Sequence, residues 1–116
     1  MRLSVAVLGL AAGLVASIAG AAEYLIDIKT DLNAKFYVVE KGGSAELPTL
    51  VVKRVRIQGT PNYTKRVFDC RNHSVQVLGS GSSLEAMAKA EPEDKSFPVE
   101  EGSINAQLWR HACYGK

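Results

Sequence analysis

Residues 102–115 read Gly102-Ser103-Ile104-Asn105-Ala106-Gln107-Leu108-Trp109-Arg110-His111-Ala112-Cys113-Tyr114-Gly115. Ser103 is a good N-cap, because its hydroxyl accepts a hydrogen bond from an otherwise unpaired amide of the first helical turn. Ile104 to Cys113 contains neither proline nor glycine. Ile104, Leu108 and Ala112 recur at i, i+4 and i+8, and Trp109 and Cys113 form a second i, i+4 pair beside them. The two rows make one apolar face. Asn105, Arg110 and His111 are left for solvent. Gly115 stands where a left-handed residue ends a helix. The stretch predicts a helix of about three turns that turns Trp109 and Cys113 inward together.

Working back from this helix, the chain reads as a series of strands. Tyr24–Ile28 places Tyr24, Ile26 and Ile28 on one face. Thr30-Asp31-Leu32-Asn33 is turn chemistry. Lys35–Glu40 is a second strand rich in aromatic and β-branched residues, broken by Lys41-Gly42-Gly43-Ser44. Thr49–Gln58 is a third, with Lys53, Val55 and Ile57 on one face and Arg54, Arg56 and Gln58 on the other. Gly59-Thr60-Pro61-Asn62 signals a turn. Thr64–Cys70 and His73–Leu78 give a fourth and a fifth strand, followed by a flexible break at Gly79-Ser80-Gly81-Ser82. Ser83–Ala90 is ambiguous: its composition favours helix, while alternation of Leu84, Ala86 and Ala88 suits a strand. Glu91–Lys95 is an acidic surface loop, and Phe97-Pro98-Val99 is a short extended segment. Many strands followed by one helix predict an α+β fold, an antiparallel sheet of about five or six strands with the C-terminal helix packed on it.

The N-terminus carries a different signal. Arg2 precedes the apolar or small stretch Leu3–Ile18, and Ala19-Gly20-Ala21-Ala22 offers small residues for cleavage after Ala21 or Ala22. This is the pattern of a secretory signal peptide over residues 1–22. The apolar run is shorter than the roughly 20 residues a membrane span needs, so no span is expected after cleavage. No cysteine sits at the cleavage site, which argues against a lipid anchor. The expected product, residues 23–116, is one small exported domain of the bacterial periplasm or cell surface. The chain's formal charge of +2 falls to about +1 without Arg2; nothing in that balance points to nucleic acid.

Cys70 and Cys113 are the only cysteines. In an exported chain they are expected to form a disulfide, joining the fourth strand to the terminal helix. The bond closes a loop of about 44 residues, which the chain-entropy relation values at roughly 4 kcal/mol. Cys70-x-x-His73 and His111-x-Cys113 also suggest a tetrahedral zinc set. On a helix, however, residues i and i+2 point about 200° apart, and export favours oxidised thiols. No metal and no cofactor is therefore expected. Gly79-Ser80-Gly81-Ser82 lacks the lysine of a phosphate-binding loop. No serine lies in a nucleophile motif and no paired carboxylates stand in an identifiable context, so the chain does not read as an enzyme.

Lys53, Arg54, Arg56, Lys65 and Arg66 fall on the third and fourth strands. Clustered, they would make a basic patch for a protein or an anionic polymer; dispersed, they are the charges that keep a sheet soluble.

The segment from Phe68-Asp69-Cys70 through Val99-Glu100-Glu101-Gly102-Ser103 and Leu108 to Cys113 resembles the C-terminal half of the bacterial surface-adhesin protein E family. The shared plan is an Asp-Cys ending a strand, two further strands, an aromatic residue, and a Pro-Gly-Ser lead-in to a last helix that ends in Cys. Phe97 stands where the family commonly has Trp, and Glu101-Gly102-Ser103 replaces Pro-Gly-Ser. The resemblance implies an antiparallel sheet with the helix docked across it and the disulfide joining the two. It also implies that Ser83–Lys89 is a strand. No binding residue carries over. The function expected from the sequence is a non-enzymatic binding protein, an adhesin contacting host or extracellular-matrix components. The alternative is a small periplasmic inhibitor or accessory subunit acting through Gly79–Ser83 or Glu91–Lys95.

Overall fold

The computed structural model describes residues 23–116; the expected signal segment lies outside the described residues. Six strands form one antiparallel sheet in sequence order: β1 (Tyr24–Ile26), β2 (Ala34–Gly43), β3 (Pro48–Arg56), β4 (Asn62–Asp69), β5 (Ser74–Gly81) and β6 (Phe97–Pro98). Two helices complete the α+β fold: α1 (Leu84–Lys89) between β5 and β6, and α2 (Ile104–Tyr114) at the C-terminal end.

Phe36, Val38, Leu50, Val52, Phe68 and Val75 alternate along β2 to β5 and bury one sheet face against Leu108 and Trp109 of α2. Phe68 and Leu108 are fully enclosed. Ser103 caps α2 by accepting from the Ala106 amide (3.0 Å) while its own hydroxyl donates to the Glu100 carbonyl (2.6 Å). Gly115 ends the helix with φ 75°. Two side chains expected in solvent are instead half-buried, Asn105 and His111. Ala106, outside the expected apolar rows, is buried.

Two irregularities set the geometry of the sheet. Pairing of β2 with β3 shifts register between Val38 and Glu40, and pairing of β4 with β5 shifts between Lys65 and Arg66. Each bulge reverses the facing of everything beyond it, since strand side chains alternate with period two. Val75 and Val77 therefore face α2, whereas Gly79 and Gly81 face the opposite side.

That reversal places α1. Ser83–Lys89 is a helix, not the strand implied by the family resemblance. Ser83 caps it by accepting from the Ala86 amide (3.0 Å), and Lys89 pairs with Glu85 one turn apart (3.2 Å). It lies on the face away from α2, with Met87 buried. A Cβ at Gly79 would collide with the Met87 carbonyl oxygen, and one at Gly81 would meet the Met87 amide nitrogen at 2.8 Å. Of the expected flexible break at Gly79–Ser82, residues Gly79 to Gly81 are instead the last part of β5, and the two glycines leave room for α1 to sit on it. The expected break at Lys41–Ser44 likewise begins too early. β2 runs to Gly43, where φ of 77° and the Leu47 amide donating to Ser44 Oγ (3.1 Å) turn the chain. At the other end β3 stops at Arg56, leaving Ile57 78% exposed.

Candidate binding site

The turn after β4 is organised by Asp69. Its carboxylate accepts from the Arg71 amide (3.1 Å), the Asn72 amide (3.0 Å) and the Asn72 side-chain nitrogen (2.9 Å). These bonds, led by that from the Asn72 side chain, hold the carboxyl below the usual aspartate range. The carbonyl of Asp69 accepts the Trp109 indole N–H at 3.1 Å. One residue further, Cys70 is bonded to Cys113, with the two Cα atoms 5.7 Å apart. The tight turn forces His73 to φ 53°, a left-handed conformation uncommon for a residue with a Cβ. His73 is pinned there by its carbonyl, which accepts from the Val99 amide at 2.9 Å.

The consequence is a built aromatic corner. The His73 ring lies over Trp109 at 4.3 Å between centroids, and Tyr114 meets Trp109 edge-on at 5.5 Å and 72°. On α2, Ala106, Arg110 and Tyr114 follow one another at i, i+4 and i+8, so they share a side of the helix. With Val99 and Glu101 from the segment before α2, these groups line a cavity of about 410 Å³, within the range of small-ligand sites. Glu101, Arg110 and Lys116 stand at its rim, all exposed. None of the three makes an ion pair among the described residues.

The five cationic residues singled out from the sequence do not come together here. Lys53 and Lys65 lie on the face that carries α1; Arg54, Arg56 and Arg66 lie on the face that carries α2. Lys53 donates to Glu23 at 2.8 Å and lies 4.9 Å from the Tyr37 ring centroid; the bond to Glu23 pushes its pKa up. Arg54 is bound to Asp31 at 2.6 and 3.2 Å, and that pairing lowers the Asp31 pKa. Arg56 is exposed. Arg66, between Leu50 and Val77 in the register, is half-buried, and its Nε is buried without a hydrogen-bond partner. Burial pushes its pKa down to about 10, with Glu93 as the opposing influence. Alternation divides the five between two faces, and carboxylates already satisfy two of them.

Of the cysteine and histidine pattern, the structure keeps only the disulfide. His73 belongs to the aromatic corner, and His111 lies on another side of α2, its Nε2 2.7 Å from the Tyr24 hydroxyl. Among the described residues no group of three or more His, Cys, Asp or Glu is arranged to hold a metal ion, and no helix is long and apolar enough to cross a membrane. Sequence reading passed over His73, Glu101, Arg110 and Tyr114 as a set. The available signal was Asp69 two and three residues before Arg71 and Asn72, a side chain able to bond the amides of a tight turn.

Comparison of the chain with protein families, with characterised proteins and with solved structures finds no match.

Proposed function

We propose that residues 23–116 form an exported, non-enzymatic binding domain of the bacterial surface or periplasm, adhesin E-like in plan, that takes its ligand in the groove between His73, Trp109 and Tyr114. The observation that carries this reading is the cost at which the groove is built. A non-glycine residue is held at positive φ, a three-bond aspartate turn fixes it, and the disulfide anchors the opposing helix. Strained backbone that the surroundings over-determine is a recurrent mark of ligand sites. A disulfide, typical of oxidising compartments, supports the exported location.

The test uses the only tryptophan in the chain. Titration of the oxidised domain with solubilised matrix glycoproteins and with cell-wall fragments is expected to shift Trp109 fluorescence, and Tyr114→Ala is expected to abolish the response. Capture of either material that is unchanged by Tyr114→Ala would reject the groove. Protease accessibility on intact cells separates the surface from the periplasmic placement.

A further inference from the structure

The groove offers three kinds of contact in a fixed arrangement. The first is a flat apolar corner. The rings of Tyr114 and Trp109 stand at 72°, His73 lies against the indole, and Val99 and Ala106 complete the wall. Trp109 contributes bulk and no donor, since its indole N–H is committed to Asp69. The second is cationic: Arg110 and Lys116, both exposed and without an ion pair among the described residues. Arg110 sits one helical turn before Tyr114, so its planar fork of donors and the phenol ring share one side of the helix and line the same groove. The third is an anionic acceptor, the Glu101 carboxylate, which makes no ion pair among the described residues.

We propose that this groove takes a pyranose ring bearing a carboxylate, the uronic-acid unit of an acidic polysaccharide. This rests on the reading of the groove as the ligand site. A sugar ring presents polarised C–H groups on its flat faces, which suit the negative face of an aromatic ring. Its carboxylate meets the Arg110 guanidinium as a two-bond pair, with Lys116 adding a second positive charge. A ring hydroxyl donates to Glu101. The Arg110 and Lys116 side chains supply the positive charge that an acidic ligand needs.

An acidic peptide matches the charge but not the backbone. Peptides bind sheet domains well by adding a strand, which requires unpaired amides at an edge. Here β6 has two residues, one of them Pro98, which has no N–H, and the next amide, that of Val99, is already bonded to His73. The groove therefore offers side chains alone, which a sugar ring can use and an extended peptide cannot use well.

The probes are a hyaluronan hexasaccharide, the same oligosaccharide with its carboxyls reduced to alcohols, and tetraglutamate. They are titrated into the oxidised domain while Trp109 fluorescence is followed. The hexasaccharide is expected to saturate the signal, and the reduced form to bind at least ~10-fold more weakly. Arg110→Ala is expected to cost a similar factor toward the acidic sugar alone, and Tyr114→Ala to weaken both sugars. Both positions are exposed, and circular dichroism with a thiol assay verifies fold and disulfide. Equal affinity for the acidic and reduced sugars, tetraglutamate binding as tight as the hexasaccharide, or an Arg110→Ala variant with undiminished affinity overturns the proposal. In each of these cases a Tyr114-dependent response to matrix or cell-wall material leaves the binding-groove reading intact. Absence of that response as well rejects both.

Discussion

At the scale of single residues, polar groups decide more than their number suggests. Arg66 places a guanidinium partly out of water with a buried Nε that bonds to nothing, an arrangement that costs about 1–3 kcal/mol for an unsatisfied donor. Arg66→Met keeps the length of the stem between Leu50 and Val77 and removes the charge. We expect it to raise stability by about 1 kcal/mol in urea denaturation; a fall in the midpoint would show that Arg66 has a compensating partner. Acid acts through different groups. Burial, with Lys41 nearby, lowers the His111 pKa below 6.5. The unfolded chain therefore binds a proton more readily than the native one in the window below 6.5, and stability present above it is lost as pH falls through the native pKa. The lowered pKa values of Asp31 and Asp69 act in the same direction below 3.8, their stabilisation being present above that value. Unfolding midpoints measured against pH are expected to decline in two stages, and His111→Gln to remove the upper one alone. The five candidate cations were legible as residues but not as a surface. Alternation sets the face each occupies, but whether a carboxylate already holds it depends on partners as remote as Glu23 and Asp31.

At the scale of elements, helix ends were the clearest part of the sequence. Ser103 and Gly115 mark α2 through local hydrogen bonding and backbone freedom, which a chain carries wherever it goes. Strand extents were less legible, because a strand ends where its neighbour stops pairing. β2 runs on through Gly42 and Gly43 since β3 continues opposite them. The misreading of Gly79–Ser82 has a definite cause. These glycines look like a flexible linker in sequence, yet they are small because α1 packs directly on the strand. Gly79→Val is expected to displace α1 and to cost about 1–3 kcal/mol, the range for overpacking, with loss of the Met87 burial measurable by amide exchange across Leu84–Lys89. A variant as stable as the parent would show that α1 does not depend on this contact. The helix over Ser83–Lys89 follows from its cap and from the residue it buries, both stronger than the alternation that suggested a strand.

At the scale of the whole molecule, one disulfide ties the end of β4 to the end of α2, 43 residues apart. The loop-closure relation gives it roughly 4 kcal/mol, a large share of the ~5–15 kcal/mol typical of a domain. Cys70→Ser with Cys113→Ser is expected to lose a comparable amount in denaturant titration, and a loss below about 1 kcal/mol would show that the reduced chain retains the closure without the bond. The same variant is expected to loosen the His73–Trp109 stack, read as a change in Trp109 fluorescence before global unfolding. The sequence by itself determined the α+β class, the terminal helix with its caps, and the pairing of two cysteines, because each rests on local periodicity, local capping or simple count. The tertiary structure alone decided the groove and which of the cations carboxylates hold. Asp69, His73, Val99 and Trp109 meet only through long-range pairing, and two bulges, invisible to alternation, choose which face each side chain beyond them occupies.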